Sequence, residues 1–274
     1  MTTPIHTVLT ATRRHGVRSL LMGGQACIVY GAAEFSRDVD LAILADEENL
    51  RRLSGALEEL RATVTAVPPF AREYLERGHA VHFRCGGAES LRLDVMTRMR
   101  NVPPFVACWA RRSVYDLDGV GEIDVMGLED LVACKKTRRD KDWPMVRRLV
   151  DVHYLDPELD ATEERMRFWL RELRTPSFLV DCARRAPELA REVGGVRDAT
   201  AAADRVARGQ ADEAAVTAAL TAEEARERTA DEAYWRPLLA ELEVLRHEAR
   251  RARRTPEVGD DVGAVERPTT EAST

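Results

Sequence analysis

The hydrophobic rhythm of the chain changes part-way along. Up to about residue 127, short apolar runs and alternating apolar and polar positions predict strands mixed with a few helices; from Leu128 onward the apolar spacing is helical. Val17–Met22 is an apolar run closed by Gly23-Gly24 and suits a buried strand. Gln25–Ala33 reads as a short helix and Val39–Leu44 as a second strand. Asp46 is placed to cap a helix over Glu47–Leu60. Thr63–Val67 predicts a further strand before the Pro68-Pro69 break. Ala80–Cys85 and Ser90–Met96 flank Gly86-Gly87, and Val114–Leu117 and Glu122–Val125 flank Asp118-Gly119; both pairs read as hairpins. In the back half, Glu158–Arg174 predicts an amphipathic helix carrying Met166, Phe168, Trp169 and Leu170. Residues 198–227 are rich in Ala, Glu and Arg, good helix formers with little bulk for a core. Asp231–Arg254 reads as one more helix, with Leu238, Leu239, Leu242 and Leu245 on one side.

This order predicts an α+β domain over residues 1–155, a mixed sheet with flanking helices, followed by an all-α domain over 156–254 with its boundary near Asp156-Pro157. The last segment, 255–274, has few apolar anchors and predicts a disordered tail. Composition narrows the setting. The five cysteines are scattered, with no paired spacing, which predicts reduced thiols and no zinc site. The N-terminus does not read as a signal peptide, and no run approaches the ~18 apolar residues of a membrane span. The expectation is a cytoplasmic protein with no membrane partner. The net charge of −6 is uneven: residues 1–150 carry 22 Lys and Arg against 20 Asp and Glu, the remainder 19 against 27. The front half can therefore hold a phosphate-bearing ligand, while the acidic back half is a poor grip for long nucleic acid.

The chemistry concentrates between Leu21 and Leu44. There one strand ends in Gly23-Gly24, and the next begins Asp38-Val39-Asp40. Residues two apart on a strand share a face, so Asp38 and Asp40 converge. Two carboxylates so placed repel unless a cation sits between them, and hard oxygen ligands suit Mg²⁺. The two glycines let backbone N–H groups approach a ligand closely, as a triphosphate requires. Asp94, in the apolar run Leu91-Arg-Leu-Asp-Val-Met96, completes a trio if that strand pairs beside Val39–Leu44. Such a trio can hold two metal ions about 4 Å apart and deprotonate an attacking hydroxyl. His79 and His82, three apart, are expected on opposite faces, which argues against shared ligation. Trp143 is expected to pack at a helix start more than to stack on a base, and Cys27 and Cys134 lack a neighbouring base for nucleophilic work.

Gly-Gly, a spacer of thirteen residues, Asp-x-Asp between apolar flanks and a later strand Asp together resemble the nucleotidyltransferase superfamily of DNA polymerase beta. Within it the chain is similar to small bacterial members, the AbiEii-like abortive-infection toxins and the antibiotic nucleotidyltransferases, over about residues 5–155. The resemblance implies the nucleotidyltransferase fold, with Gly23 and Gly24 binding nucleotide phosphates, Asp38 and Asp40 binding metal, and Asp94 acting as metal ligand or general base. It implies two Mg²⁺ ions, with Mn²⁺ as an alternative, and NTP as substrate. The segment Cys134-Lys-Lys-Thr-Arg-Arg-Asp-Lys-Asp-Trp143 resembles the "Lys … Arg-x-Lys-Asp" element of these transferases, which adds Lys135 or Lys136, Arg139 and Lys141 as phosphate partners. Where many relatives carry an Arg and a Thr before Asp-x-Asp, Glu34 and Ser36 stand here; Ser36 remains a candidate nucleotide contact. The expected activity is transfer of a nucleoside monophosphate from an NTP to a hydroxyl of a tRNA, a protein or a small molecule, with release of pyrophosphate. The alternatives are a catalytically inactive nucleotide-binding or interaction module, and the toxin of a toxin–antitoxin or phage-defence pair with an antitoxin partner.

Overall fold

The computed structural model describes residues 4–33, 35–86 and 91–254. Helix α1 (Pro4–Arg14) leads into β1 (Ser19–Met22), the short helix α2 (Gly23–Val29) and β2 (Asp38–Ile43). Then follow α3 (Glu47–Glu59), the two-residue β3 (Thr63–Val64), α4 (Arg72–Arg77), β4 (Val81–Cys85), β5 (Leu91–Met96) and α5 (Phe105–Ala110). A hairpin of β6 (Ser113–Leu117) and β7 (Gly121–Val125) ends the strand-bearing part. Everything after it is helical: α6 (Leu128–Lys135), α7 (Asp142–Leu155), α8 (Glu163–Glu172), α9 (Pro176–Arg185), α10 (Pro187–Gly194), α11 (Asp198–Ala207) and α12 (Glu213–Arg254). The architecture is thus the expected mixed sheet with flanking helices followed by helices alone. No helix among the described residues is long and apolar enough to cross a membrane.

The seven strands form one sheet in the order β3-β4-β5-β2-β1-β7-β6. The β2–β5 and β1–β7 pairs are parallel and the other pairs antiparallel. The hydrophobic pattern explains which strands lie inside. On β2, Val39, Leu41 and Ile43 are buried on one face while Asp38 and Asp40 look out from the other. On β1, Leu20, Leu21 and Met22 are all buried, as a strand covered on both faces requires. Asp46 caps α3 as its position predicts, accepting the Asn49 N–H at 2.7 Å. Buried Asn49 accepts from the Arg18 N–H at 2.6 Å and donates to the Arg18 and Leu44 carbonyls, fixing the chain ends beside β1 and β2. The antiparallel β4–β5 pair fits the expected hairpin, although residues 87–90 that join the strands lie outside the described ones, as does the tail 255–274.

The helical part differs from the sequence reading in its divisions. The predicted helix over Glu158–Arg174 begins only at Glu163, because Thr162 caps it by accepting from the Arg165 N–H. The Ala-rich stretch is not one unit with a break near residue 230. It divides at Gly209, whose φ of +72° ends α11 in a left-handed turn, and then runs unbroken to Arg254. Helix α12 is continuous because it is tied along its length to loops of the front part. Asp231 accepts from the Arg138 N–H at 2.9 Å, Arg100 reaches Glu227 at 2.6 Å, and His79 lies 2.7 Å from Glu241. Pro237 removes one helical donor between these ties without ending the helix.

Asp231 is the buried carboxylate in this set. Asp231→Ala would leave the Arg138 N–H without its acceptor and Arg100 with one carboxylate fewer. The expected cost is about 3 kcal/mol of unfolding free energy, read by urea denaturation.

Candidate active site

Register brings the predicted carboxylates together. In the parallel β2–β5 pair, Asp40 stands opposite Asp94 and Asp38 opposite Arg92. Side chains of registered residues leave the sheet on the same side, so Asp38, Asp40 and Asp94 share one face with Arg92. The same row continues across the sheet on both sides, since Met22 of β1 is opposite Asp40 and His82 of β4 is opposite Asp94. The two central carboxylates have different surroundings. Asp94 is buried, and both His82 Nδ1 and Arg92 Nε come within 2.8 Å of its Oδ1. Burial alone would push the Asp94 carboxyl up, but the hydrogen bonds and charges of His82 and Arg92 outweigh it and hold it below the ordinary carboxylate value. Asp40 lacks such a partner. Burial first, then the Asp94 and Asp38 charges, leave it above its ordinary value, with Lys135 and the Gly24 N–H opposing.

Both glycines are required by what faces them. Gly23 has φ +67°, and a Cβ there would overlap the Asp40 carboxylate. A Cβ on Gly24 would overlap the Ser36 hydroxyl. The turn after β1 is therefore pressed against Asp40 and Ser36 with no space for a side chain. Ser36 Oγ donates to the Asp38 carbonyl at 3.3 Å, and the Gln25 amide donates to the Ser36 carbonyl at 2.9 Å. These bonds pin the segment entering β2. Glu34 lies outside the described residues.

The four basic candidates separate. Lys135, at the end of α6, is the one whose charge acts on Asp40, and its Nζ lies 3.8 Å from Asp142. Lys136 turns away to Glu172 of α8 at 2.6 Å. Arg139 donates to Asp142 at 2.7 Å, and Lys141 is exposed. Asp142 is buried and braces the whole segment, accepting from Thr137 and Arg139 while facing Lys135. Trp143 packs, as expected: its Nε1 donates to the Thr137 carbonyl at 2.8 Å, and Arg174 lies over its ring. Burial pushes the Cys27 thiol up and the Cys134 thiol to about 12, so both stay protonated near neutral pH. Of the two histidines, His79 precedes β4 and is buried against Glu241, whereas His82 joins the site. Their spacing gave no ground for linking His82 with Asp94; the signal was its place two residues into a strand that pairs with Leu91–Met96.

The donors suit a hard divalent cation in kind, being carboxylates on one face with Asp40 left insufficiently neutralised. Among the described residues, no three His, Cys, Asp or Glu side chains meet closely enough to hold a metal ion as they stand. Asp94 is drawn toward Arg92 and His82, with which a cation would have to compete.

No protein-family model matches the chain, and no curated protein matches it. Among solved structures it is similar to JHP933 from Helicobacter pylori, at 13% identity and a TM-score of 0.33 over 85% of this chain and 93% of that one. It is also similar to a candidate nucleotidyltransferase from H. pylori, at 14% identity and a TM-score of 0.32 over 82% and 92%. At that distance the likeness carries no argument about residues or reaction, which must stand on the site itself.

Two substitutions separate the roles of the central carboxylates in metal-free buffer. The folded-state pKa of Asp40 is raised, so its ionisation costs stability as pH rises through that value; Asp40→Asn should raise Tm at pH 7. The pKa of Asp94 is lowered, so its contribution is present above the unfolded value and is lost as pH falls through the folded one. Asp94→Asn should lower Tm at pH 7, with a deficit that shrinks toward acid pH. Thermal melts across pH read both signs.

Proposed function

We propose that the protein is a metal-dependent nucleotidyltransferase, moving a nucleoside monophosphate from an NTP to a hydroxyl acceptor and releasing pyrophosphate. The observation that supports it most is the registered pair Asp40 and Asp94, with Asp38 on the same face and the side-chain-free Gly23-Gly24 turn against Asp40. In this reading Asp38 and Asp40 hold Mg²⁺, and Asp94 serves as a further ligand or as the base for the acceptor hydroxyl. The metal would supply charge neutralisation for the polyphosphate and favour the ionised hydroxyl. The remaining work falls to the chain. Gly23 and Gly24 let main-chain N–H groups come close to phosphate oxygens, and Ser36 offers a hydroxyl beside them. Lys135, already within the field of Asp40, offsets charge building on the leaving pyrophosphate. Arg92 and His82 orient the Asp94 carboxylate and keep it ionised.

A second reading draws on the same pair of contacts. Because Arg92 and His82 neutralise Asp94, the site can persist without a cation, as a nucleotide-binding module without turnover would need.

Turnover separates the two. Incubated with α-labelled NTPs, Mg²⁺ and total cell extract as acceptor source, the wild type should release pyrophosphate and label a product. Asp38→Ala and Asp40→Ala should each reduce the rate by a factor on the order of 10³. Label transfer that persists in Asp40→Ala at the wild-type rate would remove the carboxylate mechanism. Binding of NTP with no product from any of the four nucleotides would favour the module. Independently, Mg²⁺ should raise the Tm of the wild type and leave that of Asp40→Ala unchanged.

A further inference from the structure

A cavity of about 460 Å³ opens where the start of α6 meets the end of α7 and the start of α8. Its volume is in the range that takes a small molecule. It is separate from the carboxylates. Lys135 lies seven residues further along α6 than Leu128, and Asp142 eleven residues back along α7 from His153, about 10 and 16 Å along those helices. In this cavity the His153 imidazole is fixed in one state. Trp169 Nε1 lies 2.9 Å from His153 Nδ1. An indole N–H only donates, so Nδ1 keeps its lone pair and the ring carries its proton on Nε2. Burial, and then the charge of Arg165, hold the ring below the ordinary histidine value, so it stays neutral near neutral pH. Phe168 and Trp169 both meet the ring edge to face. The Nε2–H has no acceptor among the described residues.

Charge around the cavity is divided. Arg111 and buried Asp130 neutralise each other through two hydrogen bonds. Arg165 has no carboxylate partner among the described residues; it donates to the Asp160 carbonyl at 2.8 Å, and its charge reaches His153. Glu129 and Glu164 also line the cavity, are exposed, and form no ion pair among the described residues. A cation and two carboxylates thus border one space without pairing across it.

We infer that this cavity binds a free α-amino acid with an apolar side chain. The ligand carboxylate meets Arg165 and the His153 Nε2–H, the ammonium group meets Glu129 or Glu164, and the side chain rests on Phe168 and Leu128. The class follows from what the walls offer. A simple anion would meet two carboxylates, and a simple amine would meet Arg165; a zwitterion presents each with the opposite sign. A guanidinium pairs with a carboxylate through its planar fork of donors, and a neutral imidazole N–H adds a donor that carries no charge. Phe168 is buried and Leu128 half-buried, so together they offer an apolar side chain a place out of water. The inference does not depend on the transferase reading.

The test is calorimetric titration of the full chain, without NTP or metal ion, against L-leucine, leucinamide and 4-methylpentanoate. Leucinamide lacks the carboxylate, and 4-methylpentanoate lacks the amine. Leucine should bind, and each analogue should bind about tenfold more weakly or worse. Arg165→Gln should weaken leucine about tenfold and leave leucinamide unchanged, and Arg165→Lys should recover part of the loss. The double variant Glu129→Gln with Glu164→Gln should weaken leucine and leave 4-methylpentanoate unchanged. Circular dichroism checks that these variants fold. No binding of leucine, equal binding by either analogue, or indifference of leucine to Arg165→Gln would each overturn the assignment. Turnover does not enter this readout. A chain that binds leucine through Arg165 but releases no pyrophosphate keeps the cavity and loses the transferase reading; the opposite result keeps the transferase and loses the cavity.

Discussion

Two carboxylates placed opposite each other on adjacent parallel strands cannot avoid one another. Their strands are about 4.8 Å apart, and at an effective dielectric of about 20 two unit charges at that spacing repel by roughly 3 kcal/mol. Asp40 and Asp94 are held in that relation by the β2–β5 register, and Asp38 adds a third charge on the same face. The protein relieves the repulsion unequally. Asp94 receives Arg92 and His82 at hydrogen-bonding distance, while Asp40 receives the more distant charge of Lys135 and a single backbone N–H. The surroundings answer to this asymmetry. Gly23 is held without a side chain by the Asp40 carboxylate, and the segment carrying Lys135 is braced so that its cation stays near.

That bracing links the helical part to the site. Asp142, at the start of α7, gathers Thr137, Arg139 and Lys135. The same segment is gripped from outside by α12, through Asp231 on the Arg138 N–H and Arg228 on Asp140, and by α8, through Glu172 on Lys136. Residues 135–142 thus run between the carboxylates and two helices of the back half. A displacement of α12 would be felt at this segment, and through Lys135 at Asp40.

Much of this was legible because it follows from local periodicity. A period of two with apolar flanks set Asp38 and Asp40 on one face, and the pattern of Leu91–Met96 set Asp94 opposite the buried side. The Asp118-Gly119 hairpin and the Asp46 cap are equally local. What was not legible depends on which neighbour a side chain meets across the fold. Lys135 and Lys136 are adjacent in sequence, but Lys135 is the last residue of α6 and the chain leaves the helix at Lys136 (φ −76°, ψ 71°), so one turns toward Asp40 and the other to Glu172. His82 looked unpromising only beside His79, which is not on the strand at all. Its partner is set by the β4–β5 register, a long-range fact. The continuity of α12 likewise comes from its ties to Arg100, Arg138 and His79, which no propensity within residues 213–254 reports.

Arg92 is the residue at which these arguments meet. It is opposite Asp38 on β2, opposite Arg84 on β4, and bonded to Asp94 on its own strand. Its guanidinium is kept charged by its bond to Asp94 and then by the surrounding carboxylates. A half-exposed guanidinium shared between Asp94 and the neighbouring Asp38 cannot serve both at full strength. Bound to Asp94, it neutralises the acid that the transferase reading needs as ligand or base. Turned away from it, Arg92 would leave that acid to His82 and to any cation held by Asp38 and Asp40. In that reading the charge around Asp94 depends on where one side chain points, and Arg92 sets how much of the acid is left to hold a cation.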